Sequence, residues 1–155
     1  MAKGSESAME LAARILSVRQ MSEAELYGRL TEKGIEDASA LEAVYRMSEM
    51  GYVNDVEYAA SIVRRCASKG YGSYRLKAEL SKRKVPEDIA REALAEFSSP
   101  EREIDRFVNS RLKGGAMDRT TRRRISDALA RRGFTWEEIR AAMRRYDDSE
   151  DEECP

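Results

Sequence analysis

The chain has 155 residues, with 28 basic and 29 acidic side chains, 41% apolar residues and no histidine. The absence of histidine removes the usual general base, the histidine-containing catalytic triads and most zinc and iron sites. We therefore expect no catalytic, cofactor-binding or metal-binding residues. No apolar run approaches the roughly 18 residues of a membrane span, and the first residues lack the apolar stretch of a signal peptide, so we expect a cytoplasmic protein.

Helix-forming residues dominate the sequence and only three prolines interrupt it, which favours an all-α fold. Four capping side chains are each followed three residues later by glutamate, a pattern typical of helix N-termini: Ser22, Ser39, Asn54 and Thr135. Glycines follow the periodic segments, where a left-handed residue ends a helix: Gly34, Gly51, Gly70 and Gly133. These signals predict nine helices, over residues 8–19, 22–33, 39–50, 54–69, 72–83, 86–97, 100–113, 118–132 and 135–146.

The predicted helices repeat in sets of three, with a period near 50 residues. Each set contains two apolar residues four apart, a basic residue, a turn and an apolar residue that precedes the next helix. The apolar pairs are Leu26 and Leu30, Leu76 and Leu80, and Ile125 and Leu129. We therefore predict three tandem three-helix repeats, over residues 8–53, 54–98 and 99–146, that form an elongated, curved array.

The segment KGYGSYRLKAEL, residues 69–80, places two glycines just before a predicted helix. A glycine-rich turn that opens a helix can bind phosphate, but a P-loop needs a preceding strand and the pattern GxxxxGK[ST]. Neither is found here, so a nucleotide site is disfavoured. We interpret Gly70-Tyr71-Gly72 as the turn between two helices of the central repeat, with glycines that set the angle between those helices.

Charge is distributed unevenly along the chain. Residues 1–53 carry 6 basic and 9 acidic side chains, residues 101–146 carry 13 and 7, and residues 147–155 carry none and 6. The third repeat is therefore basic, and residues 147–155 are predicted to be a disordered acidic tail. A sharper hypothesis is that this tail folds back onto the arginines of the third repeat and competes with anionic ligands. These arginines predict either a solvated surface with ion pairs or a surface for nucleic acid or an acidic protein.

Three segments resemble the RecX family of bacterial regulators of the RecA recombinase: SEAELYGRLTEKGI (22–35), GYVNDVEYAASIVRR (51–65) and KGYGSYRLKAELSKRKV (69–85). The first repeat of that family ends in a Gly-aromatic-aliphatic-x-Asp sequence, which is matched by residues 51–55, and an aromatic-alanine pair follows, matched by Tyr58 and Ala59. The second repeat has a Gly-x-Gly turn and a basic helix, matched by Gly70, Gly72, Arg75, Glu79, Leu80 and Val85. Lys84 stands where the family usually has glycine, so the helix before it is expected to end differently.

The resemblance implies a non-enzymatic modulator, and more specifically an inhibitor, of RecA. Such a protein binds the groove of the RecA–single-stranded DNA filament and restrains recombinase, ATPase and coprotease activities. We expect a monomer without a cofactor, with at most weak binding to single- or double-stranded DNA. Two alternatives stay open: a stand-alone nucleic-acid-binding helical protein, since three-helix modules often place a helix in a groove, and an adaptor solenoid with another protein partner.

Arginines and tyrosines are the predicted partner or DNA contacts. In the central repeat they are Tyr71, Tyr74, Arg75 and Arg83, and in the third repeat they are Arg122, Arg123, Arg124 and Arg131. Tyr71 and Tyr74 flank the central turn, where a ring with a hydroxyl suits either packing or a partner contact. Trp136 is expected to pack into the core, and Cys66 is expected to be a buried structural thiol.

Overall fold

A computed structural model describes residues 7–97 and 101–151, with side chains up to Tyr146. Within these ranges the protein contains nine α-helices and no strand, so the predicted all-α class is confirmed. The helices are α1 Ala8–Val18, α2 Glu23–Glu32, α3 Asp37–Glu49, α4 Asp55–Ser68, α5 Ser73–Lys82, α6 Glu87–Glu96, α7 Glu101–Leu112, α8 Arg119–Arg131 and α9 Trp136–Asp151. Helix α9 continues beyond the end predicted at residue 146, and residues 152–155 of the acidic tail lie outside the described residues.

Three of the four predicted side-chain caps are present at helix starts. Ser22 and Glu25 form a reciprocal capping box at the start of α2, and Thr135 and Glu138 form the same pair of bonds before α9. The carboxamide oxygen of Asn54 accepts from the Glu57 amide at 3.1 Å before α4. These three predicted caps are confirmed.

The predicted cap at Ser39 is wrong. Helix α3 begins at Asp37, and its N-cap, Glu36, makes no side-chain capping bond. The start is fixed by the turn before it, because Ile35 closes that turn and the next residue already accepts the first helical bond, from the Ala40 amide. Residues at the same place in the later sets, Pro86 and Thr135, accept the corresponding bonds from amides four residues ahead.

One turn geometry recurs in all three sets of helices. The amides of Ile35, Val85 and Phe134 donate to the carbonyls of the leucines five residues before them, at 3.1, 3.1 and 3.2 Å. The residue before each of these has a positive φ: 93° at Gly34, 55° at Lys84 and 92° at Gly133. This is the Schellman ending of a helix. The expectation that α5 ends differently is wrong, because the local hydrogen bonds hold Lys84 in the left-handed region despite its side chain.

The chain forms two compact units. Unit 1 combines the chain up to Ile62 with Glu79–Ala93, and unit 2 combines Val63–Ala78 with the chain from Leu94 onward. The middle three helices therefore contribute residues to both units. Cys66, in the part of α4 that belongs to unit 2, is buried, in agreement with the expected structural role.

Each unit has its own apolar core. In unit 1 the three first helices pack against one another around a buried set that includes Leu11, Ile15, Leu26, Leu30, Ala43, Val44 and Met47. In unit 2 helices α7, α8 and α9 surround Ile104, Val108, Ile125, Leu129, Phe134, Ile139 and Met143. The predicted apolar pairs of these sets lie inside the cores, which leaves the intervening charged residues on the surface.

Candidate functional site

The glycine turn before α5 packs against the turn between α8 and α9 within unit 2. The Gly72 amide donates to the Arg132 carbonyl at 2.9 Å, and the Tyr74 amide donates to the Gly133 carbonyl at 2.9 Å. A Cβ atom on Gly72 would collide with the Gly133 carbonyl, so this close backbone approach requires glycine. Gly70, with φ of 71°, ends α4 as predicted. The role of Gly72 is different from the predicted one, because it permits contact with a distant turn.

Aromatic and basic side chains surround this junction. The guanidinium of Arg75 lies 4.4 Å from the centre of the half-buried Tyr71 ring, and the ammonium of Lys69 lies 6.0 Å from it. These are cation–π contacts, worth about 0.5–1 kcal/mol each at exposed positions. Tyr74 is 61% exposed. The structure therefore brings Tyr71 and Arg75 into contact and leaves Tyr74 as the accessible aromatic ring of the pattern.

Unit 1 contains the corresponding junction one repeat earlier. The hydroxyl of Ser22, the N-cap of α2, donates to the Arg83 carbonyl in the turn after α5 at 2.8 Å. The same hydroxyl accepts from the Glu25 amide at 3.1 Å, so this fully buried polar group has two partners. Ser22 and Arg83 occupy the places in their repeats that Gly72 and Arg132 occupy one repeat later. In each unit, the residue before the second helix of one set is thus hydrogen-bonded to the turn after the second helix of the next set.

The side chain of Arg83 belongs to a polar network of unit 1. Its exposed fraction is 27%, and it lies 3.9 Å from a carboxylate oxygen of Glu79. Burial raises the pKa of Tyr58, as does a hydrogen bond to Glu25, while the charge of Arg83 and a hydrogen bond from Arg19 oppose that rise. Arg83 therefore lies beside partly buried polar groups of unit 1, and the contact role predicted for it stays a prediction.

Helix α8 carries the arginines predicted in the third repeat. Its N-cap, Asp118, accepts from the Thr121 amide at 2.7 Å, and this bond lowers the pKa of the Asp118 carboxyl. The apolar side of the helix points into the core of unit 2 through Ile125 and Leu129. Of the predicted contacts, Arg122 is half-buried and three are exposed: Arg123, Arg124 and Arg131.

Other arginines of unit 2 are engaged within the unit. Arg145 forms an ion pair with Asp105 at 2.8 Å. The guanidiniums of Arg111 and Arg132 lie 4.9 and 4.6 Å from the centre of the Phe107 ring. Part of the excess of basic residues is therefore engaged within unit 2, while exposed arginines remain on α8 and on α9.

Residues 7–97 and 101–151 contain neither a metal-binding cluster nor a membrane-spanning helix. Groups of three or more cysteine, aspartate or glutamate side chains that could hold a metal ion are absent from this part of the chain. None of the helices described is both long and apolar enough to span a bilayer.

The sequence matches two family models: RecX, first three-helix domain, over residues 8–47, and RecX, second three-helix domain, over residues 54–94. A "Regulatory protein RecX" from Xanthomonas campestris pv. campestris (strain B100) is 36% identical over 141 residues, which cover 90% of this chain and 87% of that protein. The chain belongs to the RecX family. A "Regulatory protein RecX" from Stenotrophomonas maltophilia (strain K279a) is 35% identical over 144 residues, covering 92% and 88% of the two chains.

Solved RecX structures share the fold. The crystal structure of RecX from Lactobacillus salivarius has a TM-score of 0.80 at 21% identity, over 90% of this chain and 94% of that one. A second crystal structure, of a regulatory protein RecX, has a TM-score of 0.72 at 16% identity, over 88% and 70% of the two chains. Together with the two domain models, these likenesses confirm the predicted tandem three-helix repeats.

Within this RecX-family chain the predicted contacts are divided between the two units. Tyr71, Tyr74 and Arg75 lie in the part of the second RecX domain that belongs to unit 2. The arginines of α8 also belong to unit 2, whereas Arg83 belongs to unit 1. Sequence reasoning missed the roles of Ser22 and Gly72 as contacts between repeats. Their shared place in the repeat was the available signal.

The expectation that Trp136 packs into the core is wrong. Its side chain is 62% exposed at the start of α9, and the Arg140 guanidinium lies 5.5 Å from the ring centre. Ile139 and Met143 form the buried side of the same helix. Trp136 lies at the edge of that side on the helical wheel, and Phe134, just before it, fills the core position.

Proposed function

We propose that this RecX-family protein is a non-enzymatic inhibitor of RecA that acts in the cytoplasm as a monomer. It binds the RecA–single-stranded DNA filament and restrains its recombinase, ATPase and coprotease activities. The observation that carries the proposal is the similarity, over about nine-tenths of the chain, to relatives named "Regulatory protein RecX".

The exposed residues of unit 2 supply contacts of a suitable kind. Tyrosine and arginine are enriched among residues that dominate binding energy at protein interfaces. Tyr74 presents an accessible ring, and the outer side of α8 presents three exposed guanidiniums. Guanidinium groups bind both carboxylates and phosphates, so this surface suits a filament that contains protein and DNA. Any direct contact with single- or double-stranded DNA is proposed to be weak by comparison.

Tandem modules strengthen such binding. We propose that the three repeats, residues 8–53, 54–98 and 99–146, each contribute modest contacts to successive RecA protomers. Once one repeat is bound, the next acts at a high effective concentration, so overall affinity exceeds that of any single contact. The proposed inhibition therefore needs no single strong contact.

The test is RecA-catalysed ATP hydrolysis on single-stranded DNA with this protein at substoichiometric amounts. The proposal expects hydrolysis to fall and filament binding to be measurable by sedimentation. Unchanged hydrolysis together with no sedimentation with the filament would refute it. An unrelated adaptor would give that negative result, whereas a stand-alone DNA binder would reduce hydrolysis only by occupying DNA and would bind it equally well without RecA.

A further inference from the structure

Helix α9 displays a tryptophan and two arginines on one exposed stripe. Trp136, Arg140 and Arg144 are spaced four residues apart, so they recur about every 6 Å along the helix. All three side chains are exposed. The structure of unit 2 does not require them, because the buried side of α9 is formed by Ile139 and Met143.

The stripe has the chemistry of a strand-binding surface. The guanidinium of Arg140 lies 5.5 Å from the centre of the Trp136 indole. More than half of the Trp136 side chain is still exposed to solvent. Bases of single-stranded nucleic acid stack on such rings, and neighbouring basic groups follow the backbone phosphates. Stacking tolerates any base, since each has a flat π face.

We propose that Trp136, Arg140 and Arg144 form a contact for single-stranded nucleic acid, with a base stacked on the indole and phosphates bound by the two guanidiniums. This contact operates without RecA, and it rests on the proposed function by assigning the weak direct DNA binding included there to named residues. An acidic protein surface would satisfy the two arginines but would gain little from an open indole face. The aromatic ring thus favours nucleic acid over an acidic protein.

Carboxylates on the same helix oppose this contact, since Asp147 and Asp148 follow Arg144 by three and four residues. Glu137 is exposed in the first turn of α9, three residues before Arg140. Its negative charge lies beside the stripe on the same helix, where it repels phosphate. Removal of this charge by Glu137→Gln should tighten binding about two- to five-fold at low salt, an effect that misfolding does not produce.

The chain reports on its own binding, because Trp136 is its only tryptophan. The first measurement is indole fluorescence during titration with the oligonucleotide dT15 at low salt and without RecA. Poly-glutamate of equal charge serves as an anionic polymer without bases. We expect dT15 to quench the fluorescence, while poly-glutamate binds weakly and leaves it unchanged. Equal quenching by both polymers would mean that the surface recognises acidic chains, and the proposal would be wrong.

The second measurement is the anisotropy of fluorescein-labelled dT15 with variants. Trp136→Ala should weaken binding at least about five-fold, in keeping with the loss of one stacked base. Arg140→Gln/Arg144→Gln should weaken binding and reduce its salt dependence. The matched control, Arg29→Gln/Arg46→Gln, removes two exposed arginines from unit 1 and should leave the affinity within two-fold. Wild-type affinity for the Trp136→Ala variant would overturn the proposal.

Discussion

Gly72 and Gly133 approach each other so closely in unit 2 that neither can carry a side chain without displacing the other's turn. A Cβ on Gly72 would collide with the Gly133 carbonyl, and one on Gly133 would collide with the backbone of Arg75. Two backbone hydrogen bonds, each 2.9 Å, join the turns at this point. The junction is therefore a fixed contact within unit 2 between segments about 60 residues apart.

Gly72→Ala should disrupt this junction. We expect a loss of about 1–3 kcal/mol in the free energy of unfolding, since neither backbone segment can move without loss of a hydrogen bond. Urea unfolding measures the loss, and faster hydrogen exchange of the Tyr74 amide locates it. Gly34→Ala is the matched control: it places alanine at a φ of 93° in open space, so it tests strain without a collision. It should lose about 1 kcal/mol and leave the Tyr74 amide protected.

Lys84→Gly should stabilise the protein. Lys84 has a φ of 55° in a turn whose equivalents are Gly34 and Gly133. Relief of the left-handed strain, about 1–2 kcal/mol, exceeds the added flexibility that glycine gives to the unfolded chain. We expect a net gain of about 0.5–1 kcal/mol by urea unfolding. Lys84→Ala removes the side chain beyond Cβ, with its charge, but keeps the Cβ that causes the strain. A similar gain for this variant would show that strain is not the cause.

Local features were predictable from the sequence because they depend on residues close together in the chain. In the turns after Leu30, Leu80 and Leu129, the leucine carbonyl accepts from the amide five residues later. The spacing of apolar residues indicated these turns. The bond from Ser22 to Arg83 was not predictable in this way, since it joins residues that only the packed unit brings together. The exposure of Trp136 depends similarly on whether another element covers the first turn of α9.

Asp55 and Asp118 should titrate in opposite directions from their ordinary value of 3.8. Burial raises the pKa of Asp55, assisted by the nearby charges of Glu23 and Glu25, although the Glu23 amide donates to it at 2.9 Å. The hydrogen bond from the Thr121 amide lowers the pKa of Asp118. Carboxyl carbon NMR during acid titration measures both values. A midpoint for Asp55 at or below that of Asp118 would contradict this prediction.

These shifts fix the sign of the pH dependence. A raised native pKa means that the folded state binds more protons, so the contribution of Asp55 to stability falls as pH rises from 3.8 through its native pKa. Asp118, with a lowered pKa, contributes stability that is present above 3.8 and is lost as pH falls through its native pKa. Asp55→Asn keeps an oxygen that can accept from the Glu23 amide. The free energy of unfolding of this variant, relative to wild type, should therefore be more favourable at a pH above the native pKa of Asp55 than at a pH below it. Asp118→Asn should show the opposite trend.

Arg123→Gln/Arg124→Gln/Arg131→Gln should weaken inhibition of RecA if the outer side of α8 contacts the filament. The three arginines are exposed, so the substitutions should change stability by less than about 0.5 kcal/mol each. We expect the concentration needed for half-inhibition of ATP hydrolysis to rise several-fold, with a smaller dependence on salt, because fewer anionic groups are contacted.

The control for this variant removes the same charge from unit 1, as Arg29→Gln/Arg46→Gln/Arg91→Gln, at three exposed positions. It should inhibit RecA within two-fold of wild type. If both triple variants lose inhibition equally, net charge rather than α8 determines filament binding. If neither variant loses inhibition, Tyr74→Ala is the next test. Loss of inhibition by this variant would assign the contact to the exposed ring beside the Gly72 junction. Tyr45→Ala, which changes a similarly exposed tyrosine of unit 1, is its control.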